Sequence, residues 1–202
     1  AAPLSCFAQQ KGKVWRIGFL SPGSAAANRH RIEALRAGLR DLGYAEGRNV
    51  AIEFRWADGI YERLSKLAAE LVRLKIDVIV THGTPGTLAA KQATATIPIV
   101  MATVSDPVAT GLVAGLRQPG VNVTGLMLFV QELNEKRLEL VREVFPKARR
   151  VAVLANSENA SMKPIIPALE AAAKALKLEF RRFDVRGPAE FEDAFSAMAA
   201  WR

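Results

Sequence analysis

Ten polar residues stand in short loops after apolar runs, and their types suit holding a small polar molecule. Ser21 and Ser24 bracket Ser21-Pro-Gly-Ser24, and Thr81, His82 and Thr84 belong to Thr81-His-Gly-Thr84. Ser105 and Asp106 close Thr103-Val-Ser-Asp106; Asn156, Ser157 and Asn159 belong to Asn156-Ser-Glu-Asn159, with Ser161 just beyond. Each loop is read as leading from the carboxyl end of a parallel strand into a helix, where ligands sit on open sheets. Helix N-termini there present unpaired amides and partial positive charge, suited to a carboxylate. Asp106 offers a carboxylate to an ammonium group. Together the set suits a zwitterion such as an amino acid. A second reading stands beside it, because Ser, Thr, Asn and Asp also cap helices. For Asp106, followed by Pro107, capping alone and capping with ligand contact both remain open.

Reactive chemistry finds little support. The chain has one cysteine, Cys6, and two histidines, His30 and His82, without His-x-x-His spacing. That leaves no expected metal site, no disulfide and no catalytic residues. Neither G-x-G-x-x-G after the first strand nor a P-loop is present, so no cofactor is expected. His30 reads as an exposed first-turn residue and His82 as the histidine in a favourable loop.

The elements that must position these loops are legible from periodicity. Val14 to Leu20 is a nearly continuous apolar run, as in a strand buried on both faces. Ile32, Leu35, Leu39 and Leu42 share one face of a helix over 27–42, with Gly43 as its stop. A strand over 49–56, a helix over 60–74 and a strand over 77–81 follow. Pro85 opens another helix, and a fourth strand covers 97–101, with Pro98 near its start. Asp106 begins a short helical turn, and Gln118 to Gly125 is read as a turn-rich connector. A helix over 131–145, strands over 149–155 and 178–185 and a helix between them complete the order. Trp15 and Trp56 fall on buried-looking strands and are read as core.

The chain begins one pattern twice. Arg16-Ile-Gly-Phe-Leu20 and Arg150-Val-Ala-Val-Leu154 each enter a polar loop and a helix, ending near Leu42 and Leu176. Glu53-Phe54-Arg55 and Glu179-Phe180-Arg181 occupy the next strands. The repeat predicts two similar α/β lobes with a cleft between them, against the alternative of one doubly wound sheet. The lobes are expected at 14–122 and 123–202 after a leader at 1–13, the division falling within the turn-rich stretch. The second lobe shows only two clear strands and ends inside a helix, so it is expected to be incomplete. Its open sheet edge offers a route to a dimer.

Composition bounds the partners. Half of the 202 residues are apolar and 24% are charged, with a net charge of +8. The basic residues scatter over helix faces and strand ends, so no nucleic-acid partner is expected. No apolar run reaches the roughly 18 residues needed to span a bilayer. The first ten residues are apolar, small and uncharged, like the tail of a secretory signal peptide without its basic start; a disordered leader is the alternative. Pro3-Leu-Ser-Cys6 lacks the leucine three positions before cysteine that a lipoprotein signal needs.

Longer stretches carry a family likeness. They are Arg16-Ile-Gly-Phe-Leu-Ser21, Leu39-Arg-Asp-Leu-Gly-Tyr44, Glu46-Gly-Arg-Asn-Val50, Asp106-Pro-Val-Ala-Thr-Gly-Leu-Val113 and Pro119-Gly-Val-Asn-Val-Thr-Gly125. With them the chain, over residues 14–202, resembles the substrate-binding proteins of ABC transporters of the tryptophan/tyrosine-binding type. The resemblance implies an α/β, type I periplasmic-binding-protein fold with Rossmann-like lobes. It further implies solute capture outside the cytoplasm, in the periplasm, and delivery to an ABC permease in the inner membrane. Members are normally longer, and site pieces drawn from the missing part cannot be carried over. Two competing readings are the ligand-sensing domain of a regulator or receptor and a small flavodoxin-like α/β enzyme. A regulator wants a DNA-binding helix pair before the first strand, which the short leader does not hold.

Overall fold

The computed structural model describes residues 13–120, 122–128 and 130–201. The leader and Cys6 lie outside the described residues, apart from Lys13 at the leader's end.

The first part of the chain alternates strand and helix: β1 (Trp15–Ser21), α1 (Arg29–Asp41), β2 (Val50–Trp56), α2 (Arg63–Arg73), β3 (Val78–Thr81), α3 (Thr84–Ala93), β4 (Ile99–Ser105) and β5 (Val123–Leu128). The five strands form one parallel sheet in the order β2-β1-β3-β4-β5. After α4 (Val130–Val144), β6 (Arg150–Ala155) and β7 (Glu179–Asp184) pair in parallel in a second sheet. Helix α5 (Met162–Ala175) joins them, and α6 (Phe191–Ala200) follows.

The core of the first sheet lies under α2 and α3. Leu20, Ile79, Ile99, Met101 and Val123 pack there against Leu64, Ala68 and Leu71 of α2 and Ala89 and Ala90 of α3. Gly18 is needed on that face, because a Cβ would collide with the side chains of Ile76 and Leu71. On the opposite face Phe19 meets Phe54 and Trp56, with ring centroids 5.9 and 5.4 Å away. Helix α1 contributes no fully buried residue.

Three expectations change. The lobe division at 122/123 falls one strand early: residues 123–128 form β5 and pair with β4. Pro119, Gly120 and Gly125 made this stretch read as turns. Gly125 has φ +138° and leaves no room for a Cβ beside the Met101 carbonyl, and the β4–β5 register shifts between Met101 and Val104. A glycine at such an irregularity marks a close backbone approach and not the end of a strand. The helical turn expected after Asp106 is a run of turns. Trp15 is 43% exposed at the amino edge of β1, its ring covered by the Lys13 ammonium at 3.7 Å. Trp56 is half-buried and stacks on Phe54 at 5.6 Å.

Candidate ligand cleft

Because every pairing in the first sheet is parallel, the loops after β1, β2, β3 and β4 emerge along one edge. Strand order reverses between β1 and β3: the chain leaves β1 for β2 on one side and returns to β3 on the other. Such a switch point opens a crevice at the carboxyl ends. Backbone hydrogen bonds knit its rim. Gly59 N–H donates to Pro22 O at 2.8 Å, His82 N–H to Leu20 O at 3.2 Å and Gly83 N–H to Thr103 O at 2.9 Å.

The ten sequence-derived residues all fall at carboxyl edges, and most have structural tasks there. Ser21 is fully buried and its Oγ accepts from Gly23 N–H at 3.2 Å. Ser24 Oγ accepts from Ala27 N–H at 3.3 Å. Thr81 is also fully buried, 2.7 Å from the Thr87 hydroxyl, which itself donates to Gly83 O at 3.0 Å. Since Thr87 spends its proton on Gly83, Thr81 must donate to Thr87, and its hydroxyl has no proton left for a ligand. Thr84 is buried as the first residue of α3, and Ser105 is half-buried at the end of β4.

Asp106 adopts φ +24°, and its Oδ1 accepts from Ala109 N–H at 2.9 Å, so the capping role is realised. Asn156 Oδ1 accepts from Glu158 N–H at 2.9 Å while its Nδ2 donates to Arg186 O at 3.3 Å. Asn159 Oδ1 accepts from both the amide and the hydroxyl of Ser161. Ser157 is exposed. Beside Asn156 a shallow cavity of about 190 Å³ lies at the carboxyl end of the second sheet, lined in part by Leu154, Val185, Arg186 and Phe191.

The two edges approach each other through residues that the sequence reading passed over. Tyr61, from the loop after β2, is half-buried, and burial and then the Glu158 carboxylate push its phenol above the usual range. Glu158 stands in the loop after β6, so a first-sheet phenol feels a second-sheet charge. Arg186, after β7, lies 3.9 Å from Glu158. The rule that singled out four loops applies equally to those after β2 and β7, and would have found Tyr61 and Arg186. The His82 imidazole is held below its usual range by burial first, then by Arg31 and His30.

Among the described residues no group of three or more His, Cys, Asp or Glu is arranged to hold a metal ion. No helix among them is long and apolar enough to cross a membrane. The arrangement is that of a polar, hydrogen-bonding cleft.

Known proteins share this build. A tyrosine-binding protein of Clostridioides difficile is 34% identical over 160 residues, which cover 79% of this chain and 46% of that protein. A conserved domain protein from Vibrio cholerae has a solved structure with TM-score 0.83 and 30% identity, covering 93% of this chain and 62% of that one. An ABC domain from Streptococcus pneumoniae, solved in complex with L-Trp, follows with TM-score 0.80 and 25% identity, covering 92% and 62%. The chain thus spans about half the length of its curated relative, and its fold is that of type I periplasmic binding proteins. Residues 17–200 match the family described as ABC transporter substrate binding protein, and the chain belongs to that family.

Proposed function

We propose that the protein is the solute-binding component of an ABC import system. It captures a small molecule, of the amino-acid class, between its two lobes and presents the closed form to a membrane permease. The work is done outside the cytoplasm, in the periplasm. Closure is a shift between open and closed forms driven by contacts that only the closed form completes. The carrying observation is the approach of the two carboxyl edges, where Tyr61 feels Glu158 across the gap. A phenol held protonated there can donate to a solute or to the opposite lobe. Family membership and the L-Trp complex of a relative support the same reading.

A thermal-shift screen of the full-length protein against amino acids and related solutes tests it. A true solute at a hundred times its dissociation constant stabilises by about 2.7 kcal/mol. Small-angle scattering should then show a more compact particle with that solute than without. A stabilising solute that leaves the particle's dimensions unchanged would remove closure from the reading.

A further inference from the structure

Arg29, His30 and Arg31 open α1, whose first turn holds no acidic residue, and the last two lie beside His82 at the β1/β3 crevice. The contacts that bring them together are short. Pro22 lies against Gly83, Asn28 fills the space beside Gly23, and Arg31 reaches back to Asn28 Oδ1 at 3.4 Å and Ala27 O at 3.3 Å. Two loops, after β1 and after β3, therefore converge on one basic group. Helix amino ends already carry partial positive charge, so basic side chains there repel it and one another.

Nothing nearby neutralises them. Among the described residues no salt bridge joins Arg29, His30 or Arg31 to a carboxylate, whereas Asp58 on the adjoining loop is committed to Arg63 at 2.9 Å. Asp106, after β4, spends an oxygen on its own turn. An uncompensated basic cluster at a switch-point crevice is stabilised by an incoming anion. We propose that His30, Arg31 and His82 form the anion-holding end of the cleft and take the carboxylate of an organic-acid or amino-acid solute. The assignment rests on the solute-capture reading and gives the carboxylate to side-chain cations, not only to helix amides. Arg31 supplies one permanent charge and the imidazoles supply N–H donors. That inventory fits a carboxylate monoanion better than a phosphate dianion.

The test is calorimetry on the full-length protein with small organic acids, aromatic and aliphatic, each paired with its neutral amide, and with inorganic phosphate. The acids should bind roughly tenfold more tightly than their amides or better, as expected of a charge-assisted contact. Arg31→Gln should erase that preference and His82→Gln reduce it, while Arg40→Gln, an exposed charge at the other end of α1, should keep it. Both Arg31 and His82 are tested because they stand on different loops, and circular dichroism checks that each variant folds. Equal binding of acids and amides, an unchanged preference in Arg31→Gln, or displacement of the acid by phosphate would overturn the proposal. If neutral solutes bind and close the protein while acids do not, capture stands and this assignment falls. If neither kind binds, both fall.

Discussion

Arg16 of β1 lies 3.6 Å from Glu53 of β2, and Arg150 of β6 lies 2.8 Å from Glu179 of β7. The helix after β1 ends with Tyr44 N–H donating to Leu39 O at 2.9 Å; the helix after β6 ends with Leu178 N–H donating to Ala173 O at 2.9 Å. These are the same Schellman closure. Yet β1 buries its last five residues, while β6 buries only Ala155. The difference lies in neighbours. β1 is flanked by β2 and β3 under packed helices, whereas β6 has β7 alone. Local sequence builds a β-α-β unit; the number of strands and helices around it decides how much water it excludes.

The comparison is most open to attack through burial. Leu20→Ala, at a fully buried site, should cost about 2–5 kcal/mol in urea unfolding of the full-length protein. Leu154→Ala at the matching place in the second copy is 36% exposed and should cost under about 1 kcal/mol. Similar losses at the two sites would mean that the second unit is as well covered as the first.

Next in size is Asp106→Asn. If Asp106 also meets a solute's ammonium group, affinity for amino acids should fall about ten- to a hundredfold in titration calorimetry. The melting temperature should barely move, since asparagine caps nearly as well and tolerates positive φ. Unchanged affinity with reduced stability would leave Asp106 as a cap only.

The two helix ends offer a smaller, sharper contrast. Gly43 holds the left-handed position with φ +81°, while Lys177 holds the equivalent one with φ +56°. Gly43→Ala should destabilise by about 1 kcal/mol and Lys177→Gly should be neutral or stabilise by up to about 1 kcal/mol. Thermal melts of both variants decide; a loss in Lys177→Gly would show that its side chain contributes more than its backbone costs.

The smallest effect concerns pH. His82 is held below the ordinary histidine value of 6.5, so the unfolded chain binds the proton first. Stability should therefore decline as pH falls below about 6.5 and level off beneath the depressed native value. His82→Gln should flatten that decline in urea titrations between pH 7 and pH 5. An identical slope in both proteins would assign the pH response to other groups.

Much of the fold was legible because periodicity is local. Helix α4 and strands β6 and β7 fall within a residue of their expected limits. β5 was not, since Pro119, Gly120 and Gly125 carry the signature of a connector and only pairing with β4 makes 123–128 a strand. At the cleft, loop position identified His82 and Asp106. It also drew in Thr81 and Ser21, whose hydroxyls are spent on internal hydrogen bonds. Tyr61 and Arg186 escaped notice because their partners lie far away along the chain.

By itself the sequence determined the β-α-β units, their caps and the carboxyl-end placement of the polar loops, all of which arise from residues a few positions apart. The tertiary structure decided which strands share a sheet, how deeply the two copies are buried, and that His30 and Arg31 meet His82. Those outcomes depend on contacts between distant segments, and in them hydroxyls, carboxylates and cations compete for partners that no local pattern encodes.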